Sequence, residues 1–217
     1  CGYCDFNTYT SSELAGNKRE EYFELVNKEI GFANEALGTS GFQTKALSTV
    51  FFGGGTPTQL PAADLVSILQ KLSGAFQIST GAEVTTEANP DSIDQAYLDA
   101  LAAGGFNRIS IGMQSAVPEV LATLERSHDP NRVVAAIKAA KSAGLKTSVD
   151  LIYGAPNESL QQWRTSVEAA LQMQPDHISA YALIVEPGTK LARQIAKGDL
   201  PKPDEDLQAD KYELAEQ

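Results

Sequence analysis

The chain has 217 residues, with 17 Lys and Arg against 28 Asp and Glu, so its formal charge is −11. Its 42% hydrophobic and 21% charged content suits a globular chain that buries a core and excludes disorder and collagen-like structure. The acidic balance argues against nucleic acid, which needs clustered Lys and Arg, and no run approaches the roughly 20 apolar residues of a membrane span.

In chain order, helical patterns at Lys18–Leu37, Ala62–Ala75, Ser92–Ala103, Pro130–Ala143 and Leu160–Met173 alternate with β-rich runs. Those runs lie at Leu47–Phe52, Glu83–Glu87, Arg108–Met113, Lys146–Tyr153 and His177–Val185. Val133, Val134, Ile137 and Ala140 show helical spacing, and Gly144 supplies a stop. The run Ser148-Val-Asp-Leu-Ile-Tyr153 is too continuous for a half-solvated strand and predicts one buried on both faces. Alternating strands and helices imply a parallel sheet with right-handed crossovers. No G-x-G-x-x-G follows the first strand, as a dinucleotide-binding sheet would require. Polar residues instead end successive strands: Gly53–Thr56, Glu87, Gln114, Asp150 and Glu186. A β/α barrel builds its site this way, from the loops of one face. The expected fold class is therefore α/β, a partial TIM-like barrel of parallel strands.

Both cysteines, Cys1 and Cys4, fall in the first four residues. A disulfide between them would close a tiny loop and staple almost nothing. With no other cysteine, the chain reads as intracellular, where C-x-x-C more often binds metal or does redox chemistry. Half of a zinc site and a thioredoxin-like dithiol are both open readings, although Asp5-Phe6-Asn7-Thr8 does not offer the helix of the latter. No initiator Met precedes Cys1, so the amino terminus is expected to be cut.

Phe51-Phe-Gly-Gly-Gly-Thr-Pro57 either closes a strand or brings bare backbone up to a ligand. It lacks the lysine of a phosphate loop. Glu87 stands at a strand end, solvated or in a site, and Asn89-Pro90 turns the chain away from it. Gln114 can both donate and accept, which suits ribose hydroxyls, or it is a satisfied polar residue of the barrel interior. Asp150 lies in the most apolar run and must meet a ligand or a cation. Arg126 could grip a carboxylate in bidentate fashion or form a surface ion pair. His128 and His177 read as structural.

Taken together, these residues resemble the radical S-adenosylmethionine (SAM) superfamily, within it the group of oxygen-independent coproporphyrinogen III oxidases and HemW-like heme chaperones. The family signature is C-x-x-x-C-x-x-C, whose thiolates hold a [4Fe–4S] cluster. Cys1 and Cys4 match its second and third cysteines, and the first would lie upstream of the sequence. Soft anionic thiolates suit such a cluster. The resemblance implies SAM-binding roles for ten residues. Tyr3 matches the aromatic residue between the cysteines, and Gly54, Gly55 and Thr56 match a Gly-Gly-x-Pro turn that receives the methionine ammonium. Glu87 matches a SAM-contacting acid, Gln114 and Asp150 the ribose ligands, and Arg126 the partner of the methionine carboxylate. Ile152 and Ile184 fall where adenine contacts are expected. No catalytic residue is assigned.

Phe6 occupies a position that is a further cysteine in the oxidases, as it does in the chaperone branch. The runs Ser179–Thr189 and Gly198–Asp204 also look like that branch. The resemblance therefore implies a heme chaperone delivering heme to respiratory enzymes, with [4Fe–4S] and SAM as cofactors and heme as a further ligand. The alternative within the family is the oxidase, which decarboxylates porphyrinogen propionates to vinyl groups. The alternative from another class is a zinc-binding barrel hydrolase. Expected partners are heme or a porphyrinogen and respiratory heme proteins, without nucleic acid or an integral membrane segment. The expected location is cytoplasmic, with any membrane association through partners. Residues 1–200 are expected to form a barrel core lacking its first strand and first cluster cysteine. Residues 201–217 would begin a linker or helix toward a carboxy-terminal domain.

Overall fold

The computed structural model of the chain describes residues 2–6, 19–42 and 45–217, and of Arg19 and Glu20 the backbone alone. Five strands form one parallel sheet: β1 (Leu47–Phe52), β2 (Ile78–Ala88), β3 (Arg108–Gln114), β4 (Lys146–Tyr153) and β5 (His177–Ala182). Their spatial order follows the chain, β1-β2-β3-β4-β5, and each neighbouring pair is parallel. Sequential parallel order with crossover helices curls the sheet into half of a β/α barrel. The helices are α1 (Arg19–Thr39), α2 (Ala62–Ala75), α3 (Gln95–Ala103), α4 (Pro118–Thr123), α5 (Pro130–Ser142), α6 (Leu160–Gln172), α7 (Lys190–Lys197) and α8 (Glu205–Ala215).

The alternation of side chains along each strand divides the molecule into two environments. Ile109, Ile111 and Met113 of β3 and Val149, Leu151 and Tyr153 of β4 join the main core, together with Leu65 and Leu69 of α2, Leu98 of α3, Ile137 of α5 and Trp163 of α6. The intervening residues Ser110, Gly112 and Gln114, with Asp150 and Ile152, instead line an open cleft. The helices therefore seal the convex face while the concave face stays polar.

Local chemistry sets the element ends. Asp94, Asp129 and Asp204 cap α3, α5 and α8 by accepting from Tyr97, Asn131 and Leu207 N–H groups. Ser159 and Gln162 form a reciprocal capping box at α6.

Three boundaries depart from expectation by three residues or more. β2 begins at Ile78 rather than Glu83, because an irregularity carries it past Gly81 at φ +79° while Leu47 still pairs with Ile78. β5 stops at Ala182 rather than Val185: Leu183 N–H makes one further bond to Tyr153 O, and Glu186-Pro-Gly188 then turns into α7. The helix expected from Ser92 begins only at Gln95, since Pro90–Ser92 form a separate single turn.

Helix α8 is docked on the barrel through a buried ion pair. Lys211 Nζ donates to Glu158 Oε2 at 2.9 Å and to Glu158 O at 2.7 Å, and both side chains are almost wholly enclosed. Glu158 Oε2 also accepts from Gly154 N–H at 2.7 Å, and Lys211 O accepts from Trp163 Nε1 at 2.8 Å. Gln208 Nε2 donates to Leu183 O at 3.1 Å. The turn after β4 and the exit of β5 are thus both tied to α8. Removing one member of such a pair leaves a buried charge without its partner. Lys211→Met should destabilise the fold by about 3–5 kcal/mol in urea denaturation. Adding Glu158→Gln, which removes the orphaned charge and keeps an acceptor for Gly154, should recover part of that loss.

Candidate functional site

The site is a cleft of about 670 Å³ on the concave face, open where the strands end. Tyr3, Cys4, Gly54, Gly55, Thr56, Glu87, Gln114, Arg126, Asp150, Ile152 and Ile184 all line it. Eleven residues singled out by motif, spread from position 3 to position 184, therefore meet in one place. Cys1 lies outside the described residues.

The loop carrying Cys4 is held from three sides. Gly2 O accepts from Leu191 N–H at 2.8 Å, so a loop carbonyl engages the first turn of α7. Tyr3 packs with Val117, Leu124, Leu183 and Leu191 in a second apolar cluster. Lys190 pairs with Glu125, and a Cβ on Gly2 would meet Glu125 Oε2 at 2.8 Å. The Cys4 thiol is free and half-buried at the cleft rim.

Gly53–Thr56 extends from β1 with Gly54 at φ +124°, a conformation that favours glycine. Gly54 N–H donates to Glu87 Oε2 at 3.3 Å, linking this turn to the end of β2. Burial pushes the Glu87 carboxyl above its usual range, the Gly54 bond opposes this, and the Asp150 charge adds to it. Gln114 is buried at φ +64°, where a register break separates Gly112 and Gln114 along β4. The bulge turns its amide back over Gly112, whose added Cβ would meet Gln114 Nε2 at 2.8 Å.

Arg126 is half-buried, and its Nη2 donates to Tyr3 Oη at 3.1 Å. Its Nε is enclosed without an acceptor, and among the described residues no carboxylate pairs with it. An enclosed guanidinium with unused donors is a ready partner for an anion entering the cleft. Asp150 accepts from Ser110 Oγ at 2.8 and 2.9 Å, and among the described residues no cation pairs with it within salt-bridge range. Burial pushes its carboxyl up, against hydrogen bonds from Ser110 and Ser179 and the charges of Arg108 and His177. His128 donates from Nε2 to Met113 O at 3.0 Å, and burial lowers its basicity. It serves as a strut behind β3.

Arg108, Ser110, Ser179 and Tyr181 also line the cleft and were not singled out by motif. The two-residue alternation Arg108, Ser110, Gly112, Gln114 was the available signal for the first two.

Glu87 and Asp150 give the ligand-free protein a definite pH response. Their folded-state values are raised, so the unfolded chain ionises first as pH increases. Their contribution to stability is full below the ordinary carboxylate range and is lost as pH rises through the raised values. Denaturation midpoints between about pH 4 and 7 should fall with pH on this account. The Glu87→Gln/Asp150→Asn variant should flatten that slope.

The model of the radical SAM superfamily matches residues 1–170. The heme chaperone HemW of Mycobacterium tuberculosis is 43% identical over 217 residues, covering 100% of this chain and 54% of that protein. HemW of Bacillus subtilis is 32% identical, covering 99% of this chain and 55% of that protein. The solved structure of the Escherichia coli radical SAM enzyme HemN, a coproporphyrinogen III oxidase, superposes with a TM-score of 0.82 at 28% identity. It covers 98% of this chain and 48% of HemN. The chain thus spans about half the length of these relatives. The zinc-hydrolase alternative is left without support. With its family model matched over most of its length and its half-barrel shared with HemN, this chain belongs to the radical SAM superfamily.

Proposed function

We propose that the cleft binds SAM beside a [4Fe–4S] cluster held by Cys1, Cys4 and a third cysteine preceding them. On this reading the chain is the barrel core of a HemW-like heme chaperone. Residues 1–200 form that core, and the stretch from 201 leads toward a further domain. The observation that carries the reading is Arg126, a half-buried guanidinium lining the cleft that Cys4 borders, with its Nε lacking an acceptor and no carboxylate paired with it among the described residues.

The residues fit these groups. Cys4 offers a free thiol, and thiolates are the ligands such clusters take. Gly54, Gly55 and Thr56 present bare backbone for the methionine ammonium, with Glu87 behind them adding negative charge. Arg126 grips the methionine carboxylate, and Tyr3 steadies the guanidinium from its ring face, 6.0 Å from the ring centroid. Gln114 and Asp150 take the ribose hydroxyls, and Ile152 and Ile184 cover the adenine. When bound, the pair of cofactors supplies one-electron reductive cleavage of the SAM sulfonium. The chain's part is to orient SAM, exclude water and keep its carboxylates ionised.

The 43% identity to a HemW, together with Phe6 where the oxidases have a cysteine, supports the chaperone branch. Its partners would then be heme and the respiratory enzymes that accept it, in the cytoplasm or at a membrane through those enzymes. The TM-score of 0.82 to HemN favours a second reading, oxidative decarboxylation of a porphyrinogen.

Anaerobic reconstitution of the whole protein should give about four irons per chain with absorbance near about 400 nm; zinc in their place would overturn the proposal. Stoichiometric hemin binding without vinyl products from coproporphyrinogen III is expected of a chaperone, whereas turnover would move the protein to the oxidase branch. Arg126→Met should weaken SAM binding by about 2 kcal/mol or more in calorimetry, since it removes a desolvated charge partner.

A further inference from the structure

The concave face continues below the cofactor-facing residues as a polar ladder across β2, β3, β4 and β5. Arg108 Nη1 lies 3.7 Å from Glu83 Oε1, and its Nη2 lies 3.5 Å from His177 Nδ1. Neither contact is close, and the Arg108 side chain is only 15% exposed. Ser148 Oγ stands 3.0 Å from the same His177 nitrogen. Above this layer Ser110 Oγ bridges both oxygens of Asp150, and Ser179 adds a second hydroxyl from β5. Arg108, Ser110, Asp150 and Ser179 all line the cleft floor. In the sheet register Asp150 stands opposite Ser179 on β5 and Gly112 on β3, and Ser110 reaches it diagonally from its own place opposite Ser148.

We infer that Ser110 is a positioning residue that fixes the Asp150 carboxylate in plane, with Arg108 the cation of the same cleft floor, so that the carboxylate accepts a vicinal diol of the ligand. The inference rests on the proposed nucleoside reading of the cleft and adds to it the groups that make Asp150 competent. A single hydroxyl bridging two carboxylate oxygens fixes the rotation of the group and leaves outward lone pairs for a ligand. A carboxylate this enclosed is driven toward its neutral form unless hydrogen bonds and a nearby cation oppose it. Asp150 raises the Glu87 carboxyl of β2 by its charge, while burial drives its own toward neutrality. Ser110 and Arg108 from β3, and Ser179 and His177 from β5, oppose it. Glu83, beyond Arg108, draws part of that cationic charge away. A neutral carboxyl would donate one proton and lose acceptor capacity, so diol affinity should fall as pH drops through the raised Asp150 value.

The test uses the whole reconstituted protein, titrated calorimetrically with S-adenosylhomocysteine and with its 2′,3′-dideoxy counterpart between about pH 5 and 8. Ser110→Ala should weaken the diol ligand about tenfold and leave the dideoxy ligand nearly unchanged. The pH at which diol affinity is half lost should rise by about one unit. Ser110→Thr, which keeps the hydroxyl, should restore both properties. Arg108→Met should raise the same midpoint, and Arg108→Lys should largely return it. A merely structural role would weaken both ligands equally and leave the pH profile in place, and that result would overturn the inference. Wild-type binding of the diol ligand with no response to Ser110→Ala would sink this inference alone. Failure of the wild type to bind either ligand would remove the nucleoside reading and this inference with it.

Discussion

Everything about the site depends on the cost of charge on an inner sheet face that helices do not cover. The convex side of the half-barrel solves its energetics in the ordinary way, by burying Ile109, Ile111, Val149 and Leu151 under α2, α3, α5 and α6. The concave side holds Glu87, Arg108, Arg126 and Asp150 around one cleft, and among the described residues only Arg108 of these four has an opposite charge within salt-bridge range. Groups of this kind are destabilising when left half-desolvated. They become favourable when a ligand carries the complementary pattern: a carboxylate for Arg126, an ammonium near Glu87, hydroxyls for Asp150. On the proposed reading, the cleft is complementary to a zwitterionic nucleoside in a way that it is not to itself.

The scaffold keeps that arrangement rigid by tying loops to later helices. The Cys4 loop is fastened to α7 through Gly2 O and Leu191 N–H, and to the stretch after α4 through Tyr3 and Arg126. The turn after β4 is fastened to α8 through Glu158 and Lys211. The α7 and α8 fasteners come from the carboxy-terminal third of the chain yet act at the strand ends. Residues past the last strand thereby help to shape the site.

Much of this was legible in the sequence, for physical reasons that differ by element. β4 was read with its full bounds because its apolar run marks a strand, but it is not buried on both faces as expected: Asp150 and Ile152 on its concave side are half-buried and line the open cleft. Gln114 and Asp150 were found because residues at strand ends point to one face of a barrel, whereas Arg126, in the stretch after α4, was singled out by the family resemblance. The roles of Ser110 and Ser179 were hidden, since a small hydroxyl on a strand carries no signal until its cross-strand neighbour is known. Gly81 and its neighbours concealed the first five residues of β2, because an irregular strand start lacks clean alternation. Helix α4 is only six residues long, too short for a period to register. The docking of α8 was the least visible, because a lysine such as Lys211 reads as surface. Only the fold shows its Nζ buried on Glu158.

On the proposed reading, Cys4 and Arg126 address one ligand set, a cluster and the amino-acid end of SAM, within a shared cleft. Electron paramagnetic resonance of the reduced whole protein, recorded with and without SAM, tests it most directly. The account predicts that SAM shifts the g-values of the reduced cluster and that Arg126→Met abolishes the shift at the same SAM concentration. A cluster spectrum indifferent to saturating SAM in the wild-type protein would contradict it.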